Sequence, residues 1–419
     1  HFSKGWNIIN DITDGGDCEV NWDNDAIYYY QANQTMKRNF NNQNSNLYDN
    51  YFDWFIGMKY ELNPDDPYLV YFGRRKKIEA GIYLARFCKY NEKTQELHMR
   101  DAPSGVSAIG AIGINTRNEI MIADYDWSDA NTPNRLNLSL DDGLTWSDLS
   151  ESNVFEYNNG SWVNYGSLKN LLAWRSIGDI LFNPFNPDEV WLAVEGIQFK
   201  DGSTTTGKFR VLRSNDLGQN WYDYSENLPP FPVMALEYQM GTNGVLFAGT
   251  DAGVYYRSPS MAQWECFNNG IPICIITDLD YNPCNGYLYA STQGRAIFKT
   301  KVPFVSDYQS VISPPATVVW NKPMRIANDV VIEPGAVLII KSKVYLSENV
   351  RFIVKRSGKL IIDGGHLTNA CGLFWHGIEV WGNSNQRQLV TQQGWVRIIN
   401  GGTIENSNMG IYTNRPLEM

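Results

Sequence analysis

The chain has 419 residues, of which 43% are hydrophobic, 19% charged and 13% aromatic, and its formal net charge is −10 at pH 7. This composition excludes a broadly disordered chain, and the many aromatic side chains favour β-sheet. The acidic balance excludes the basic surface that a nucleic-acid partner requires. Because no apolar run approaches the roughly 20 residues of a membrane-spanning helix, the sequence predicts no such segment. The length favours two domains.

The sequence begins at His1 without a signal-peptide pattern, and we expect the chain to be part of a longer polypeptide. Its cysteines form no CxxC pair, so they allow either a set of disulfides or buried free thiols. They are Cys18, Cys88, Cys266, Cys274, Cys284 and Cys371. Cysteine usage alone therefore does not decide the redox compartment.

An apolar strand, a turn that begins with Asn-Pro and a second apolar strand recur along the chain. Proline fixes its own φ angle and asparagine tolerates turn conformations, so each Asn-Pro predicts the tip of a hairpin between short strands. These turns begin at Asn63, Asn183 and Asn282.

A second repeated element, Ser-x-Asp-x-Gly-x-x-Trp, follows two of these hairpins and is called the SxDxGxxW turn below. Its Asp can accept hydrogen bonds from backbone N–H groups of the turn, and its Gly supplies a positive φ. Its Trp returns along the next strand and can bury its ring between neighbouring sheets. The two copies comprise Ser139, Asp141, Gly143 and Trp146, then Ser214, Asp216, Gly218 and Trp221.

Together the two elements predict units of four short antiparallel strands, which is the blade of a β-propeller. We count about six units over residues 1–303, and the first looks incomplete, so we expect a truncated amino end. The fifth has a degraded turn that ends at Trp264. The units centre on residues 18–40, 58–87, 107–146, 177–221, 234–264 and 277–298.

After residue 303 the pattern changes. Residues 304–325 contain Pro314, Pro315 and Pro323, and they indicate an extended linker. From residue 326 to residue 419 a different repeat appears, in which the segment from Gly358 aligns with that from Gly394. Short apolar strands separated by Gly and Asn are typical of a parallel β-helix or solenoid. No polar cap follows the last repeat, so we expect the solenoid to continue beyond the chain. The predicted fold class is therefore all-β.

These motifs resemble a known family. The SxDxGxxW turns, the segments 244–256 and 264–272 and the STQGRAIF segment at 291–298 resemble Asp-box, or BNR-repeat, sortilin-like β-propellers. The segments WHGIEVWG at 375–382 and GGTIENSNMGIYTN at 401–414 look like the β-helical parts of the same large exported proteins of Bacteroidota. The resemblance implies cargo of the type IX secretion system, displayed on the outer face of a Gram-negative outer membrane.

Asp-box propellers include sialidases and xyloglucan-cleaving glycosidases, so enzymatic function has to be considered. A sialidase-like site needs three arginines that converge on a carboxylate. Arg213 and Arg257 precede Asp-box-type turns and are expected at outer blade edges, which leaves Arg175 and Arg295 as channel candidates.

A general glycosidase needs two carboxylates that face each other across a cleft. The candidates are Asp17, Asp251 and Asp278, each of which also fits a role as a turn cap. The four histidines do not cluster, and there is no HExxH or GxSxG motif. The sequence therefore favours a protein without enzymatic activity.

Two sets of residues are candidates for binding. Asp124, Asp126 and Asp129 could help to hold Ca²⁺, although their loop is not an EF-hand and a solvated loop is the competing interpretation. Four tryptophans in loops or at strand ends could stack on sugars, although core packing is the usual use of such residues. They are Trp54, Trp127, Trp162 and Trp174.

The leading hypothesis is an exported surface module for adhesion, glycan binding or scaffolding, with glycans or other surface proteins as partners. The first alternative is a xyloglucanase-like or sialidase-like glycoside hydrolase that uses carboxylates on the propeller face. The second alternative is a component bound to outer-membrane proteins of the secretion machinery.

Overall fold

A computed structural model describes two compact units, which comprise residues 1–239 with 244–303, and residues 304–419 with 240–243. Side chains are described for residues 59–64, 66, 68–74, 85–124, 134–172, 175–195, 208–242, 244–283, 286–295, 297–302, 310–321, 324–383 and 385–413. The backbone alone is described for residues 7–10, 18–20, 27–32, 35–40, 43–49, 75–79, 82–84, 296 and 414. Within these ranges no helix has the length and apolar character needed to cross a membrane.

The first unit consists of sheets of short strands that are antiparallel except where β14 pairs with β19. The first strands are β1 (Asn7–Asn10), β2 (Cys18–Val20), β3 (Ile27–Ala32), β4 (Thr35–Phe40), β5 (Gln43–Asp49), β6 (Tyr60–Leu62), β7 (Leu69–Glu79), β8 (Ile82–Asn91) and β9 (Glu96–Asp101). They are followed by β10 (Ile109–Ile114), β11 (Ile120–Asp124), β12 (Leu136–Ser139), β13 (Ser147–Asp148), β14 (Asn153–Asn158), β15 (Ser161–Ser167) and the short helix α1 (Leu168–Leu171). The remaining strands are β16 (Ile177–Asn183), β17 (Asn186–Val194), β18 (Val211–Ser214), β19 (Asn220–Asp223), β20 (Val233–Tyr238), β21 (Leu246–Thr250), β22 (Gly253–Arg257), β23 (Glu265–Cys266), β24 (Ile276–Asn282), β25 (Tyr287–Thr292) and β26 (Ala296–Lys301).

These strands form a ring of blades. The first strands of successive sheets contact one another in the order β2, β6, β10, β16, β20 and β24, and β24 contacts β2 again. Strand β1 pairs with β26 and completes the last sheet, so the two ends of the unit share one blade. The first unit is therefore a β-propeller, with five blades described by their side chains and the β2–β5 sheet described by its backbone.

The Asn-Pro turns lie where the sequence predicts them. Asn63, Asn183 and Asn282 stand at the tips of the hairpins β6–β7, β16–β17 and β24–β25. The first predicted unit differs from the expectation of an incomplete blade, because β2–β5 form a four-stranded sheet. Its last strand, β5, lies beyond residue 40 and carries neither of the two repeated motifs.

Both SxDxGxxW turns form the same hydrogen-bond network. The Ser139 hydroxyl donates to Asp141 Oδ1 over 2.8 Å and accepts the N–H of Gly143 over 2.8 Å. Asp141 Oδ1 also accepts the N–H of Thr145 over 2.8 Å. In the second copy the Ser-to-Asp and Gly-to-Ser distances are 2.7 and 2.9 Å. The turn therefore satisfies its own backbone donors, as the residue types predict.

The tryptophans of these turns contact the preceding blade. The Trp146 ring lies edge-on to Phe87 of β8, with centroids 5.9 Å apart. Trp221 is fully buried in a core cluster that includes Met121 of β11. In the degraded third turn, Trp264 Nε1 donates to the carbonyl of Tyr224 over 3.1 Å. The predicted packing of these rings against the neighbouring sheet is confirmed, with Trp221 and Trp264 buried and Trp146 partly buried.

The second unit consists of three parallel sheets. Its strands are β27 (Val311–Ile312), β28 (Thr317–Trp320), β29 (Met324–Ile326), β30 (Val330–Ile332), β31 (Val337–Ile340), β32 (Lys343–Leu346), β33 (Arg351–Val354), β34 (Lys359–Asp363), β35 (His366–Asn369), β36 (Trp375–Trp381), β37 (Trp395–Ile399), β38 (Thr403–Ile404) and β39 (Ser407–Asn414). Each strand pairs with the third strand after it, which gives a solenoid-like succession of coils. Inward rows of apolar side chains, such as Leu338 and Leu360, are fully buried.

The register of this unit follows the sequence repeat. Lys359 pairs with Trp395, so the segments that align from Gly358 and Gly394 are neighbours in one sheet. The coils begin earlier than the repeat suggested, because β27 and β28 fall within the range predicted as a linker and pair with β30 and β31. Pro314 and Pro315 lie between these two strands, where no ladder hydrogen bond is lost.

Candidate functional site

A hairpin of β14 and β15 extends one blade. β14 lies parallel to β19, the outer strand of the β16–β19 blade, so this sheet has six strands instead of four. The hairpin turns at Asn159 and Gly160, whose φ angles are 50° and 86°. Two successive positive φ angles are typical of a type I′ turn, which matches the twist of a two-stranded ribbon. The sequence therefore builds a rigid extension on the rim of the propeller.

One face of this extension carries four aromatic rings, which we call the aromatic platform: Phe155, Tyr157, Trp162 and Tyr222. Tyr157 lies opposite Trp162 in the ladder, with ring centroids 5.2 Å apart. Trp162 meets Tyr222 edge-on at 5.1 Å, and Phe155 stacks on Tyr222 at 5.2 Å. These contacts fix the rings against one another, so their outer surfaces are preorganised.

The platform is open to solvent and has polar groups beside it. Tyr157 is 60% exposed and Trp162 is 47% exposed. Asn164 lies opposite Phe155, and its Nδ2 donates to Asn153 Oδ1 over 3.1 Å. Contiguous exposed aromatic surface on a folded protein marks an interaction site more often than scattered single residues do. The arrangement can bind a ligand that combines apolar ring faces with hydroxyl groups.

Of the four tryptophans that were candidates for sugar stacking, the structure describes Trp162 and places it in the platform. Trp54, Trp127 and Trp174 lie outside the described residues. The other three rings of the platform were not predicted. The signal that could have found them is the Asn159-Gly160 dipeptide between aromatic-rich strands, which predicts a hairpin with aromatic faces.

The candidate calcium ligands are only partly described. Asp124 is buried, and its Oδ1 accepts the N–H of Ser107 over 3.3 Å. Asp126 and Asp129 lie outside the described residues. Within the described ranges, no group of three or more His, Cys, Asp or Glu side chains is arranged to hold a metal ion.

The candidate carboxylates lie in different settings. Asp17 is outside the described residues. Asp251 lies in the turn between β21 and β22, and partial burial raises its pKa. Asp278 is buried on β24 and pairs in the ladder with Ser291 of β25.

A further carboxyl group, Glu195, was not predicted. It follows β17, and its Oε2 accepts the hydroxyl of Ser176 over 2.7 Å. A Cβ atom on Gly178 would lie 2.7 Å from Glu195 Cγ, so the glycine makes room for this side chain. Burial raises the pKa of Glu195, while the Ser176 hydrogen bond and the nearby Lys59 oppose the rise. The residues that surround Glu195, such as Ser176, are not close to it in sequence, so no local sequence motif marks this carboxyl group.

The first strands of four blades bring acidic side chains together around the ring. Glu237 lies on β20, and the groups that act on it electrostatically are Asp280 of β24, Glu61 of β6 and Asp179 of β16. Asp179 accepts the N–H of Leu236 over 2.7 Å, which ties β16 to β20. Burial first, and then the like charges of these neighbours, raise the pKa of Glu237 well above its usual range.

We expect the Glu237→Gln variant to be more stable than the wild type, by a difference that grows as the pH rises. The folded-state pKa of Glu237 lies above its unfolded value, so the fold loses stability as pH rises through the folded pKa. Glutamine keeps the shape and cannot ionise. Thermal unfolding at about pH 5 and about pH 8 measures the difference in unfolding temperature between variant and wild type. This difference should be larger at the higher pH. The exposed Glu96→Gln is the control, and an equal difference at both pH values would contradict the assignment.

The four candidate arginines do not share one environment. Arg213 and Arg257 are engaged at the outer part of their blades, in ion pairs with Glu189 and Glu226. Arg295 is exposed in the turn between β25 and β26. Arg175 is buried, with 6% of its surface exposed. These four side chains therefore do not form the three-arginine cluster of a sialidase.

No protein-family model and no curated protein matches the chain. Several solved structures are similar to the chain at low identity. A GH74 xyloglucanase from Xanthomonas campestris has 13% identity and a TM-score of 0.47 over 73% of this chain, and the match spans 46% of that enzyme. A glucose dehydrogenase has 14% identity and a TM-score of 0.46, over 71% of this chain and 99% of its own. The extracellular domain of a protein described as a one-component system of B. thetaiotaomicron has 10% identity and a TM-score of 0.42, over 72% and 40%.

Proposed function

We propose that the chain is a non-enzymatic module of an exported surface protein and binds glycans through the aromatic platform. The observation that carries this proposal is the set of four packed rings on β14, β15 and the adjoining β19, of which Tyr157 is 60% exposed and Trp162 is 47% exposed. A ligand that covers Tyr157 and Trp162 would remove their ring surface from water, which favours binding. The rest of the blade supports them as a rigid base.

The chemistry of the platform fits a sugar ring. A pyranose presents a face of C–H groups, which packs on an aromatic ring, and hydroxyl groups around its rim. Tyr and Trp supply large contact areas at a small cost in side-chain entropy. The amide of Asn164 and the hydroxyl of Tyr157 supply hydrogen-bonding groups beside the rings. Rings on neighbouring strands can contact successive sugar units of a polysaccharide.

The wider context belongs to the same proposal. The two SxDxGxxW turns support membership of the Asp-box propellers, and the three parallel sheets support a β-helix in the second unit. Cys371 is disulfide-bonded, which supports an oxidising compartment outside the cytosol. We therefore infer a surface location on the outer face of a Gram-negative outer membrane, with the type IX secretion system as the export route.

We expect Trp162→Ala to weaken polysaccharide binding by about 10- to 30-fold, the loss typical of a central aromatic contact. Tyr157→Ala should give a smaller loss in the same direction. Affinity electrophoresis and a glycan array with the purified chain measure the effect. Trp395→Ala, which removes a partly exposed tryptophan of the second unit, is the matched control. Equal binding by Trp162→Ala and wild type, or no binding of any glycan by wild type, would overturn the proposal.

Two further measurements distinguish the alternative functions from glycan binding without catalysis. Release of reducing sugar from a bound polysaccharide, abolished in Glu195→Gln, would instead favour a glycoside hydrolase that uses carboxyl groups of the propeller face. The raised pKa of Glu195, which suits a general acid, is the observation that keeps this alternative. Co-purification with outer-membrane proteins in place of glycan binding would favour a component of the secretion machinery.

A further inference from the structure

Arg175 is a buried arginine whose guanidinium is only partly satisfied. It lies two residues before β16 and is 6% exposed. Its Nη1 donates to the carbonyl of Lys208 over 2.8 Å. Within the part of the chain that the structure describes, neither its Nε nor its Nη2 has a hydrogen-bond partner. Buried donors of this kind are rare, because each unmade hydrogen bond carries the full cost of desolvation.

A second arginine shares this region of the blade. Arg210 precedes β18, is 9% exposed and donates from Nη2 to the carbonyl of Glu226 over 3.3 Å. Its Nε also has no partner among the described residues. Burial and then the charge of Arg210 lower the pKa of Arg175 to about 10. Arg210 also lies two residues after Lys208, whose carbonyl accepts Arg175 Nη1, so the backbone places the two arginines in the same part of the blade.

The acidic side chains of this region are engaged elsewhere. Glu156 accepts Lys208 Nζ over 2.6 Å, and Glu226 pairs with Arg257 over 2.6 Å. The negative charge of Asp223 opposes the lowering of the pKa of Arg210 by burial and so stabilises its charged form. The Oδ1 atom of Asp223 accepts hydrogen bonds from the N–H and the hydroxyl of Ser225. In the described residues no carboxylate forms an ion pair with Arg175 or Arg210. Burying a guanidinium without an ion-pair partner is unfavourable, and of the two arginines Arg175 is the one with no carboxylate of the described residues acting on it.

The unsatisfied atoms of Arg175 lie on one edge of the guanidinium. Nε–H and one N–H of Nη2 point the same way and form a fork that can donate hydrogen bonds to the oxygens of a carboxylate, sulfate or phosphate. Other arginines of this chain use that edge for a carboxylate. Arg351 donates from Nε and Nη2 to Asp329 Oδ2 over 3.0 and 2.8 Å, and Arg117 donates from the same two atoms to Glu119 Oε2 over 2.9 and 2.7 Å, so in both cases this edge binds a single carboxylate oxygen.

We propose that Arg175 and Arg210 form a binding site for an oxyanion, which the Nε–Nη2 edge of Arg175 holds in a bidentate manner and the Arg210 guanidinium supports. The ligand class is an anionic group, either the carboxylate of a uronic acid or a sulfate ester. This site uses none of the platform residues, so its test is independent of the glycan-binding proposal.

The test is thermal unfolding of the whole chain with sodium sulfate or sodium glucuronate, at an ionic strength held constant with sodium chloride. Small ions are the probes because so little of Arg175 is exposed. We expect a saturable rise of about 2–4 °C in the wild type, and no saturable rise in Arg175→Gln. Without added oxyanion, Arg175→Gln should be at least as stable as the wild type, since it removes a buried uncompensated charge. A larger rise with glucuronate than with sulfate would indicate a carboxylate ligand, and the reverse a sulfate ester.

Two variants separate a site from a general salt effect. Arg117→Gln removes an exposed arginine that already holds a carboxylate, so it should keep the full rise. Arg175→Lys keeps the charge without the fork and should shift the midpoint to higher oxyanion concentration. An equal rise in every variant would be the non-specific effect of excluded ions and would overturn the proposal. The proposal would also be overturned if oxyanions did not affect the wild type and replacing Asp126 or Asp129 by Asn lowered its stability, since a carboxylate of the chain would then be the partner of Arg175.

Discussion

Replacing Trp221 by alanine should lower the free energy of unfolding of the propeller by about 3–5 kcal/mol, the usual cost of deleting a large buried aromatic side chain. Trp221 has no exposed surface, and it packs among residues of two blades, including Met121 and Leu149 of the preceding one. A Cβ on Gly218 would lie 2.9 Å from its ring, so the turn is already in close contact with it. The cavity would therefore open between two blades of the ring.

Chemical denaturation followed by circular dichroism measures this loss. Trp221→Phe is the conservative control and should cost much less, because it keeps an aromatic ring and removes an indole N–H that has no hydrogen-bond partner among the described residues. Trp146→Ala, at the same position of the first turn, should cost less than Trp221→Ala because its ring is only partly buried. Equal losses for the two alanine variants would contradict the packing argument.

The features predicted correctly from the sequence are those in which a few neighbouring residues determine the local structure. In the SxDxGxxW turn, the Ser139 hydroxyl and the Asp141 carboxylate bind backbone groups within four residues, so the residue types alone imply the geometry. The Asn-Pro hairpins are local in the same sense. Once four such strands recur at a regular spacing, a propeller is the arrangement that buries both faces of each sheet.

Trp162 was predicted as a sugar-stacking candidate, but the other three rings of the aromatic platform were missed for a different reason. The hairpin of β14 and β15 interrupts the blade repeat, and the strands were predicted from that repeat. The dipeptide Asn159-Gly160 did carry a local hairpin signal, but the pairing of β14 with β19 joins residues that are far apart in sequence. Exposure of Tyr157 and Trp162 depends on that pairing, since the choice of neighbour decides which face of the ribbon is covered.

The clusters of like charges were even harder to predict from the sequence, because only the fold brings their residues together. Arg175 and Arg210 are separated along the chain by two strands, and their proximity follows only from the order of strands in the blade. The sequence singled out Arg175 as a candidate channel residue, but it gave no sign that Arg210 would lie beside it. Glu237 similarly acquires its raised pKa from acidic residues on three other blades. No local pattern encodes such a meeting of like charges, so a sequence-based reading of single residues could not find it.

In the second unit, Gly377→Ala should destabilise the last coils by about 3 kcal/mol or more, since backbone strain and a steric clash add together. Gly377 has a φ of +127°, which L-residues avoid, and an added Cβ would lie 1.6 Å from the carbonyl oxygen of Met409. The register between β36 and β39 shifts at this point, between Gly377 and Ile378. The glycine therefore permits the close approach of two parallel strands.

The repeat offers a matched control for this change, because Gly410 occupies the aligned position one coil later. An added Cβ on Gly410 meets no atom within 4 Å, so Gly410→Ala should change stability by no more than about 0.5 kcal/mol. Hydrogen–deuterium exchange on the whole chain reports the difference locally: amides of β36 and β39 should exchange faster in Gly377→Ala alone. If the amides exchange at the same rates in both variants, the close approach of Met409 does not require a glycine at position 377, and the prediction is wrong.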